Sequence, residues 1–301
     1  MKKFYAGLDV GGTMIKMIVL DENHNTKVQK QVPTEDSIQN TGKWQENIAN
    51  LVNELSDHFG ADNNLLFGIA FPGLADINNL KILNMPHRLK GLENFNWTEF
   101  LGRKIFVIND AHAATIAEYD SFYKNKINHM LMLTLGTGVG GGVIIDGKLF
   151  QGHINRAGHF GHMSVDHQGV QTMTNMVGSL EYAIGDFSVA ERTLHKYKNT
   201  AELVHAYNQK EALATHWWLQ SLQKLACGIT SLINAFSPEL IVIGGGITNA
   251  GKSFFDPLKE FISLYEWQPG GKNVEIRSSQ NGTYAGAVGA ALFAESKNQM
   301  K

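Results

Sequence analysis

Two copies of one short pattern constrain the fold of this chain more than any other feature. Each copy is an apolar strand, a glycine-rich turn and a second apolar strand. The first occupies residues 4–20, with Gly11 in its turn, and the second occupies residues 129–145, with Gly136 opening its turn. The turns lie about 125 positions apart, whereas solenoid repeats recur roughly every 20 to 50 residues. The pattern therefore predicts two related lobes.

Strand and helix patterns alternate along the chain. Residues 27–32 add a third strand to the first copy, and turn compositions at both joints predict an antiparallel meander. Apolar side chains at positions 218, 222, 225, 229, 232 and 236 step by four and three, which is typical of one face of a long helix. Further strands are predicted over residues 65–71, 104–108, 239–243 and 274–278, and helices over residues 37–59, 111–119, 254–261 and 285–294. This alternation predicts an α/β protein in which the strands between helices form parallel sheets that are covered on both sides.

The composition excludes several classes of protein. The chain of 301 residues is 43% hydrophobic with a net charge of −2, so no overall field would attract nucleic acid or an anionic membrane. No apolar run approaches the roughly 20 residues of a membrane span, and a strand beginning at Phe4 leaves no room for a signal peptide. The single cysteine, Cys227, excludes an intrachain disulfide and fits a reducing compartment. We therefore expect a cytoplasmic protein.

Three glycine-rich turns each follow an apolar strand directly. They are residues 9–13, with Asp9 and Thr13 at their ends, residues 136–142 and residues 244–246. Glycine lets a backbone approach a phosphate closely, but a tight hairpin that needs positive φ explains any one of these turns equally well. None matches the P-loop, because no Gly-Lys-Ser or Gly-Lys-Thr is present, and none is followed by the helix of a dinucleotide-binding fingerprint. Together they predict phosphate sites carried on hairpins.

Asn109 and Asp110 stand at the end of a predicted strand, directly before an alanine-rich helix. Open α/β sheets bind ligands beyond the carboxyl ends of their strands, so a carboxylate at this corner would face a ligand. Asp is also among the best residues for capping a helix. The corner by itself leaves both roles for Asp110 open.

These motifs together resemble the ROK family of sugar kinases and repressors, in the actin-like superfamily, over about residues 4–293. Asn109-Asp110-Ala111 matches the family's Asn-Asp-Ala, residues 156–163 match its sugar-binding Gly-Glu-x-Gly-His segment, and Ser179-Leu-Glu181 matches its Cys-Leu-Glu. The resemblance implies two actin-like (ribonuclease H-like) α/β lobes, each a mixed sheet flanked by helices, with the active site in the cleft between them. The expected lobes are residues 1–118 with about 285–301, and residues 119–284.

The resemblance also implies an ATP-dependent kinase that phosphorylates a sugar hydroxyl, with O6 of a hexose or hexose derivative as the expected acceptor. Asp110 is the expected catalytic base, and Mg²⁺ is expected with ATP, near Asp9. The residues expected to bind the sugar are Asn109, His159, His162, Glu181, Gly73 and Asn84. The residues expected to bind ATP are Asp9, Gly11, Gly12, Thr13, Lys16, Gly136, Thr137, Gly138, Gly140, Gly244, Gly245 and Gly246.

The zinc-binding positions depart from the family pattern. The family usually binds a structural zinc through one His and three Cys; His162 is retained, but Thr172, Thr174 and Ser179 occupy the cysteine positions. A structural zinc site requires thiolate or imidazole ligands. We therefore predict no zinc, a loop over residues 166–178 held by packing and hydrogen bonds, and a His162 that is free to contact the sugar.

His159 is the second departure, because most kinases of the family have a sugar-binding glutamate there. A carboxylate accepts hydrogen bonds from two hydroxyls, whereas a neutral imidazole offers one donor and one acceptor. We expect a substrate preference that differs from glucose; the alternative is that His159 only fills space beside an ordinary hexose.

Two other functions compete with the kinase. A sugar-responsive repressor would carry a winged-helix domain before the first phosphate motif, which here begins at Asp9, and no basic helix-turn-helix is present. A catalytically silent sugar-binding protein fits the replacement at His159, but the retained Asp110 and phosphate turns argue against it. The expected partners are a sugar and ATP, without nucleic acid or membrane, and the resemblance and the apolar Trp217-Trp218 pair favour a homodimer.

Overall fold

The computed structural model describes residues 2–37, 42–60, 64–85, 88–172 and 175–299. The strands are β1 (Phe4–Val10), β2 (Met14–Asp21), β3 (Thr26–Pro33), β4 (Leu65–Phe71), β5 (Leu74–Ala75), β6 (Ile82–Asn84), β7 (Ile105–Asn109), β8 (Met130–Leu135), β9 (Val139–Ile145), β10 (Lys148–Leu149), β11 (Leu240–Gly244) and β12 (Glu275–Ser278). The α-helices are α1 (Lys43–Phe59), α2 (Trp97–Leu101), α3 (Asp110–Glu118), α4 (Leu180–Ile184), α5 (Val189–Arg192), α6 (Thr200–Asn208), α7 (Ala212–Phe236), α8 (Lys252–Tyr265) and α9 (Ala285–Gln299).

The chain divides into two compact units. Unit 1 comprises Met1–Lys124, Gln151–Arg156 and Asn281–Lys301, and unit 2 comprises Asn125–Phe150 and Ala157–Gln280. Each unit contains one five-stranded mixed sheet flanked by helices, which confirms the predicted fold class at the level of the separate lobes.

The sheet of unit 1 has the strand order β3-β2-β1-β4-β7. Strands β1, β2 and β3 are antiparallel neighbours, so the predicted meander is confirmed, and β4 and β7 extend the sheet in parallel. Helix α9 packs very closely on this sheet: an added Cβ at Gly7 would lie 1.8 Å from the Ala287 carbonyl oxygen, and one at Gly68 2.0 Å from that of Ala290. Glycine is therefore required where β1 and β4 meet α9.

Unit 2 repeats the design with the strand order β10-β9-β8-β11-β12. Its β8–β9 hairpin is antiparallel, and β11 and β12 run parallel to β8, as β4 and β7 do beside β1. The predicted helix face is the core of the unit, because the side chains of Trp218, Leu222, Leu225 and Ile229 on α7 are fully buried.

The burial of Trp218 removes one of the two supports for the predicted homodimer. Its indole is fully buried and its Nε1 donates to the Ser253 carbonyl oxygen at 2.8 Å, while Trp217 packs partly buried against the same core. Trp218 therefore belongs to the interior of unit 2, because its apolar surface is already removed from water, and the homodimer stays a prediction that rests on the family resemblance.

Element boundaries differ from the sequence predictions in two informative places. The first helix was predicted from about residue 37; residues 38–41 lie outside the described part of the chain, and α1 begins at Lys43 after Gly42 in the left-handed conformation. Strand β7 extends to Asn109, one residue further than predicted, so α3 begins at Asp110. In the described residues, no helix is long and apolar enough to cross a membrane.

Candidate active site

At the corner between β7 and α3, the residue that caps the helix is Asn109 and not Asp110. The Oδ1 atom of Asn109 accepts hydrogen bonds from the backbone N–H groups of Ala111 at 3.0 Å and His112 at 3.1 Å, with extended backbone dihedral angles that are typical of an N-cap. Asp110 is the first residue of the helix, and its Oδ1 also accepts from the Ala111 N–H at 2.8 Å. Because Asn109 caps the helix, the carboxylate of Asp110 is not needed for that purpose.

The carboxyl group of Asp110 has an unusual affinity for a proton. Desolvation, followed by the negative charge of Asp9, raises the pKa of Asp110 to about 7, although the backbone N–H groups and the charge of Arg88 act in the opposite direction. Desolvation also raises the pKa of Asp9, against the effect of Lys16. A carboxylate that titrates near neutral pH is well matched to accepting a proton in a reaction.

The first glycine turn lies between β1 and β2, next to these carboxylates in unit 1. The turn closes through a hydrogen bond from the Gly11 N–H to the Met14 carbonyl oxygen at 3.0 Å, and the buried Thr34 donates from Oγ1 to the Gly11 carbonyl oxygen at 2.6 Å. Thr13 is exposed at the tip, so its hydroxyl is available to a ligand. An exposed hydroxyl beside glycines at the end of a buried strand fits a phosphate group.

The residues expected to bind sugar in unit 1 also come together. The Nδ2 atom of Asn109 donates to the Gly73 carbonyl oxygen at 3.0 Å. Gly73 has φ of 101°, and a Cβ there would lie 2.4 Å from the Asn84 carbonyl oxygen. Glycine is therefore required at this position both by its positive φ and by the close approach of β6.

The second glycine turn, in unit 2, is held by two consecutive residues, Asp186 and Phe187. Gly136 and Thr137 accept hydrogen bonds at their carbonyl oxygens from the N–H groups of Asp186 at 3.0 Å and Phe187 at 3.1 Å, and Thr137 is exposed. Gly140 lies just beyond the turn on β9, paired with Thr134 of β8. Like the first turn, this turn places an exposed threonine beside glycines, although it is one residue shorter.

The sugar residues expected in unit 2 surround the same turn. An added Cβ at Gly138 would lie 3.0 Å from Oε2 of Glu181, so this carboxylate lies against the turn. His162 Nδ1 is 3.8 Å from Glu181 Oε1, and the rings of His159 and His162 stack with centroids 6.3 Å apart and an interplanar angle of 10°. Two imidazoles and one carboxylate therefore form a polar group suited to sugar hydroxyls.

The third glycine turn borders a cavity of about 570 Å³ in unit 2, a size within the usual range for small-molecule sites. Gly245 follows the end of β11 with φ of 96°, and a Cβ there would lie 2.3 Å from the Leu135 carbonyl oxygen, directly before the second turn. The cavity is lined by Gly136, Thr137, Asp186, Thr200, Ala201, Val204, Gly246, Ile247, Asn249 and Ala250. Glycines of the second and third turns thus share one cavity.

Several residues of these sites were missed from the sequence. Asp186, Thr200 and Asn249 line the cavity, and Asp186 Oδ1 accepts from the Thr200 N–H at 2.7 Å at the start of α6. The spacing of Asn199 and Glu202 is a helix-start signal, since the Asn199 side chain accepts from the Glu202 N–H, and it would have predicted α6. No local signal marks Arg88, which lies over the first turn.

The loop that carries zinc ligands in the family is held here by hydrogen bonds and an ion pair. Lys224 Nζ contacts Asp166 Oδ2 at 2.9 Å, and the Val165 N–H donates to the Gly178 carbonyl oxygen at 2.9 Å. Thr172 Oγ1 donates to the Met176 carbonyl oxygen, and Ser179 Oγ caps α4, whereas Thr174 lies outside the described residues. Hydroxyls used in this way do not fit a zinc site, and no cluster of three or more His, Cys, Asp and Glu side chains arranged for a metal occurs in the described part of the chain.

Comparisons with known proteins agree with these motifs. The family model described as "ROK family" matches residues 5–297. A glucokinase from Thermotoga maritima is 30% identical, covering 95% of this chain and 95% of its own length. A glucokinase from Halalkalibacterium halodurans is 28% identical over 99% of this chain and 97% of its own, and an N-acetyl-D-glucosamine kinase from Haemophilus influenzae is 27% identical over 96% and 98%.

Among solved structures, a ROK hexokinase from Thermus thermophilus superposes with a TM-score of 0.86 at 26% identity, covering 99% of this chain and 100% of its own. The relatives thus match over nearly their whole length.

Proposed function

The chain belongs to the ROK family, and on that premise we propose that it is an ATP-dependent sugar kinase that transfers the γ-phosphoryl group to a hydroxyl, O6, of a hexose or hexose derivative. The observation that carries the proposal is Asp110. Because Asn109 caps the helix, the carboxylate of Asp110 is not needed for that role, and the pKa of Asp110 is raised to about 7. This is the property expected of a base that takes a proton from a sugar hydroxyl.

In the proposed reaction the sugar oxygen forms a bond to the γ-phosphorus, and the bond from that phosphorus to the β,γ-bridging oxygen breaks. The electron pair of the broken bond leaves with ADP, and the hydroxyl proton goes to the carboxylate of Asp110. Phosphoryl transfer asks a protein mainly to position its partners and to stabilise charge. We assign positioning of the phosphates to Gly12 and Thr13 in unit 1 and to Thr137 in unit 2, whose turns carry exposed hydroxyls.

Recognition of the sugar is assigned to Asn109 in unit 1 and to His159, His162 and Glu181 in unit 2. One N–H of Asn109 donates to the Gly73 carbonyl oxygen. In unit 2 the Glu181 carboxylate lies against the second glycine turn, His162 lies beside that carboxylate, and His159 stacks on His162. A neutral imidazole at His159 cannot accept two hydroxyl hydrogen bonds, as the usual glutamate does. We therefore propose a preferred substrate other than glucose, in the hexose or N-acetylhexosamine class.

The nucleotide is proposed to bind in the cavity of unit 2, with its adenosine along Gly244 to Gly246. Desolvation and then the negative charge of Asp9 raise the pKa of Asp110, and carboxylate oxygen ligands of this kind suit Mg²⁺ brought with ATP. When bound, the ion would neutralise charge on the phosphates. The proposals of a cytoplasmic location and a homodimer rest on the single Cys227 and on the family resemblance.

The test is ADP release with Mg²⁺ and ATP over a panel of glucose, mannose, fructose, N-acetylglucosamine and N-acetylmannosamine. We expect ADP release only when a sugar is present. We expect kcat/KM for one sugar of the panel to exceed that for glucose. The phosphorus of the product should couple to the C6 protons in its NMR spectrum. His159→Glu should shift the preference toward glucose. Binding of a sugar without ADP release would instead establish the silent sugar-binding protein.

A further inference from the structure

Arg88 is the one arginine side chain of the described residues that lies over a glycine turn, and no sequence motif accounts for it. An added Cβ at Gly12 would lie 1.4 Å from Nη2 of Arg88 and 2.5 Å from its Cζ. The guanidinium therefore occupies the space in which a side chain at Gly12 would lie. Arg88 is otherwise exposed, so its donors are accessible from solvent.

The backbone next to Arg88 is held firmly. Leu89 is 1% exposed and has φ of 49°, a left-handed conformation that is rare for a leucine. Its N–H donates to Asp36 Oδ2 at 2.9 Å, and the carbonyl oxygen of Lys90 accepts from Trp44 Nε1 at 3.4 Å. Backbone strain of this kind persists only where the surroundings impose it, and it is concentrated at functional sites.

The charge of Arg88 acts on the proposed catalytic group as well as on the turn. Its positive charge lowers the pKa of Asp110, in opposition to the negative charge of Asp9. The same guanidinium therefore faces a glycine turn that fits phosphate and a carboxylate that fits a general base. A cation at this position would contact a phosphoryl group that lies between the glycine turn and the carboxylate.

We propose that Arg88 binds the γ-phosphoryl group of ATP and stabilises the negative charge on its oxygens during transfer; this inference rests on the proposed kinase function. A guanidinium has five N–H donors in a planar fork that matches phosphoryl oxygens. It stays protonated throughout, so the hydroxyl proton still goes to Asp110 and the electron pair of the broken bond to ADP. Arg88 supplies hydrogen bonds and charge, and no proton.

The kinetic test compares Arg88→Met and Arg88→Lys with Lys90→Met, a matched control that removes an exposed positive charge two residues further along the same loop. With the best sugar of the panel, Arg88→Met should lower kcat by about 100-fold, the usual loss for one donor to a developing charge. Arg88→Lys should recover part of the rate, because the charge remains and the fork is lost. Lys90→Met should stay within about 2-fold of the unchanged protein.

The binding test needs no turnover. Isothermal titration calorimetry would measure the affinity for ADP and for a non-hydrolysable ATP analogue, both with Mg²⁺. Arg88→Met should weaken binding of the analogue by about 10-fold, as expected for the loss of one charge-assisted pair, and leave ADP binding unchanged. The difference between the two nucleotides isolates contact with the γ-phosphate.

Four results would overturn the inference. They are equal weakening of ADP and analogue, tighter binding of the analogue by Arg88→Met, a rise in the sugar KM alone, and a kcat for Arg88→Met equal to that of Lys90→Met. Tighter binding would mean that Arg88 only fills the turn in the free protein. Absence of sugar-dependent ADP release by the unchanged protein would instead refute the proposed function, a result that the panel measures independently.

Discussion

The charged side chains near the two ends of strand β1 are arranged in opposite ways. At the end that carries Asp9, desolvation and then the negative charge of Asp9 raise the pKa of Asp110 to about 7. Near the other end, where Phe4 pairs with Asp21, His24 lies in the turn after β2 and contacts two carboxylates. We call these regions the acid pair (Asp9 and Asp110) and the histidine clamp (His24, Asp120 and Glu295).

The histidine clamp balances its charges. His24 Nδ1 is 3.1 Å from Asp120 Oδ2 and His24 Nε2 is 2.8 Å from Glu295 Oε2, so both ring nitrogens face acceptors, as in a protonated imidazole. The hydrogen bond to Asp120 is the largest cause of the raised pKa of His24. Burial raises the pKa of Asp120, but hydrogen bonds from His24 and Lys124 outweigh it and leave this pKa below the ordinary value.

The comparison teaches that the same residue type, aspartate, has two different uses in one unit. In the histidine clamp, opposite charges hold together three segments that are distant in sequence. In the acid pair, like charges are kept close although this costs stability, which is typical of sites where a proton must be transferred. One substitution, Asp to Asn, applied to Asp110 and to Asp120, probes both.

The largest expected effect is on turnover. Asp110→Asn should lower kcat by about 100-fold or more, because an amide cannot accept the hydroxyl proton. Asp120→Asn should leave kcat within about 2-fold, since Asp120 belongs to the clamp. Both are measured by sugar-dependent ADP release with the best substrate of the panel. A near-normal rate for Asp110→Asn would exclude it as the base.

The next effect is on the pH dependence of kcat/KM. A base whose pKa is raised to about 7 is protonated and inactive below that pH, so kcat/KM should fall as the pH drops through about 7. Asp9→Asn removes a like charge and should move this fall to lower pH by about one unit, even if the rate itself declines. A pH–rate profile of both proteins makes the comparison. A midpoint that does not move would show that Asp9 has no influence on Asp110.

The smallest effect is on stability, and its sign should differ between the two sites. The pKa of Asp110 is raised to about 7, so the unfolded chain loses this proton at a lower pH than the folded protein does, and stability falls as the pH rises from about 4 to about 7 and stays reduced above that. Asp110→Asn should therefore stabilise the protein by about 1 kcal/mol or more at pH about 8 and have almost no effect near pH 4. Asp120 has a lowered pKa, so its charge contributes stability above the pKa of the unfolded chain, and Asp120→Asn should cost about 1 kcal/mol at neutral pH.

Thermal unfolding of the two variants at pH about 4 and about 8 measures this contrast. Stabilisation that is equal at both pH values, or a loss of stability in Asp110→Asn, would contradict the description of the acid pair.

The sequence predicts those parts of the molecule whose signal lies in adjacent residues. The strand and turn around Gly11, its counterpart around Gly136 and the corner at Asp110 are each contained in a short segment. For this reason the two sheets and the candidate catalytic group could be predicted. The one-residue difference at the corner matters, because it transfers the cap to Asn109.

The remaining features depend on side chains that only folding brings together. The histidine clamp joins a turn, a short π-helix over Tyr119–Tyr123 and α9. The position of Arg88 depends on a left-handed conformation at Leu89, a residue type that does not signal positive φ, whereas the glycine of this turn lies two residues further on, at Gly91. Trp218 belongs both to the predicted face of α7 and to the apolar pair that favours a homodimer, and only the fold shows that it is buried, because helical periodicity gives the direction of a face but not the depth at which it lies.

Helix α9 also has a consequence for how the protein is made. It packs against β1 and β4 through Gly7 and Gly68, yet it follows all of unit 2 in the chain. A ribosome therefore releases the first strands of unit 1 long before the helix that covers them, while unit 2 emerges as a nearly continuous segment. Unit 2 can form its core during synthesis. The face of the first sheet that α9 covers stays exposed until α9 has been synthesised, and it is a surface that chaperones can bind in that interval.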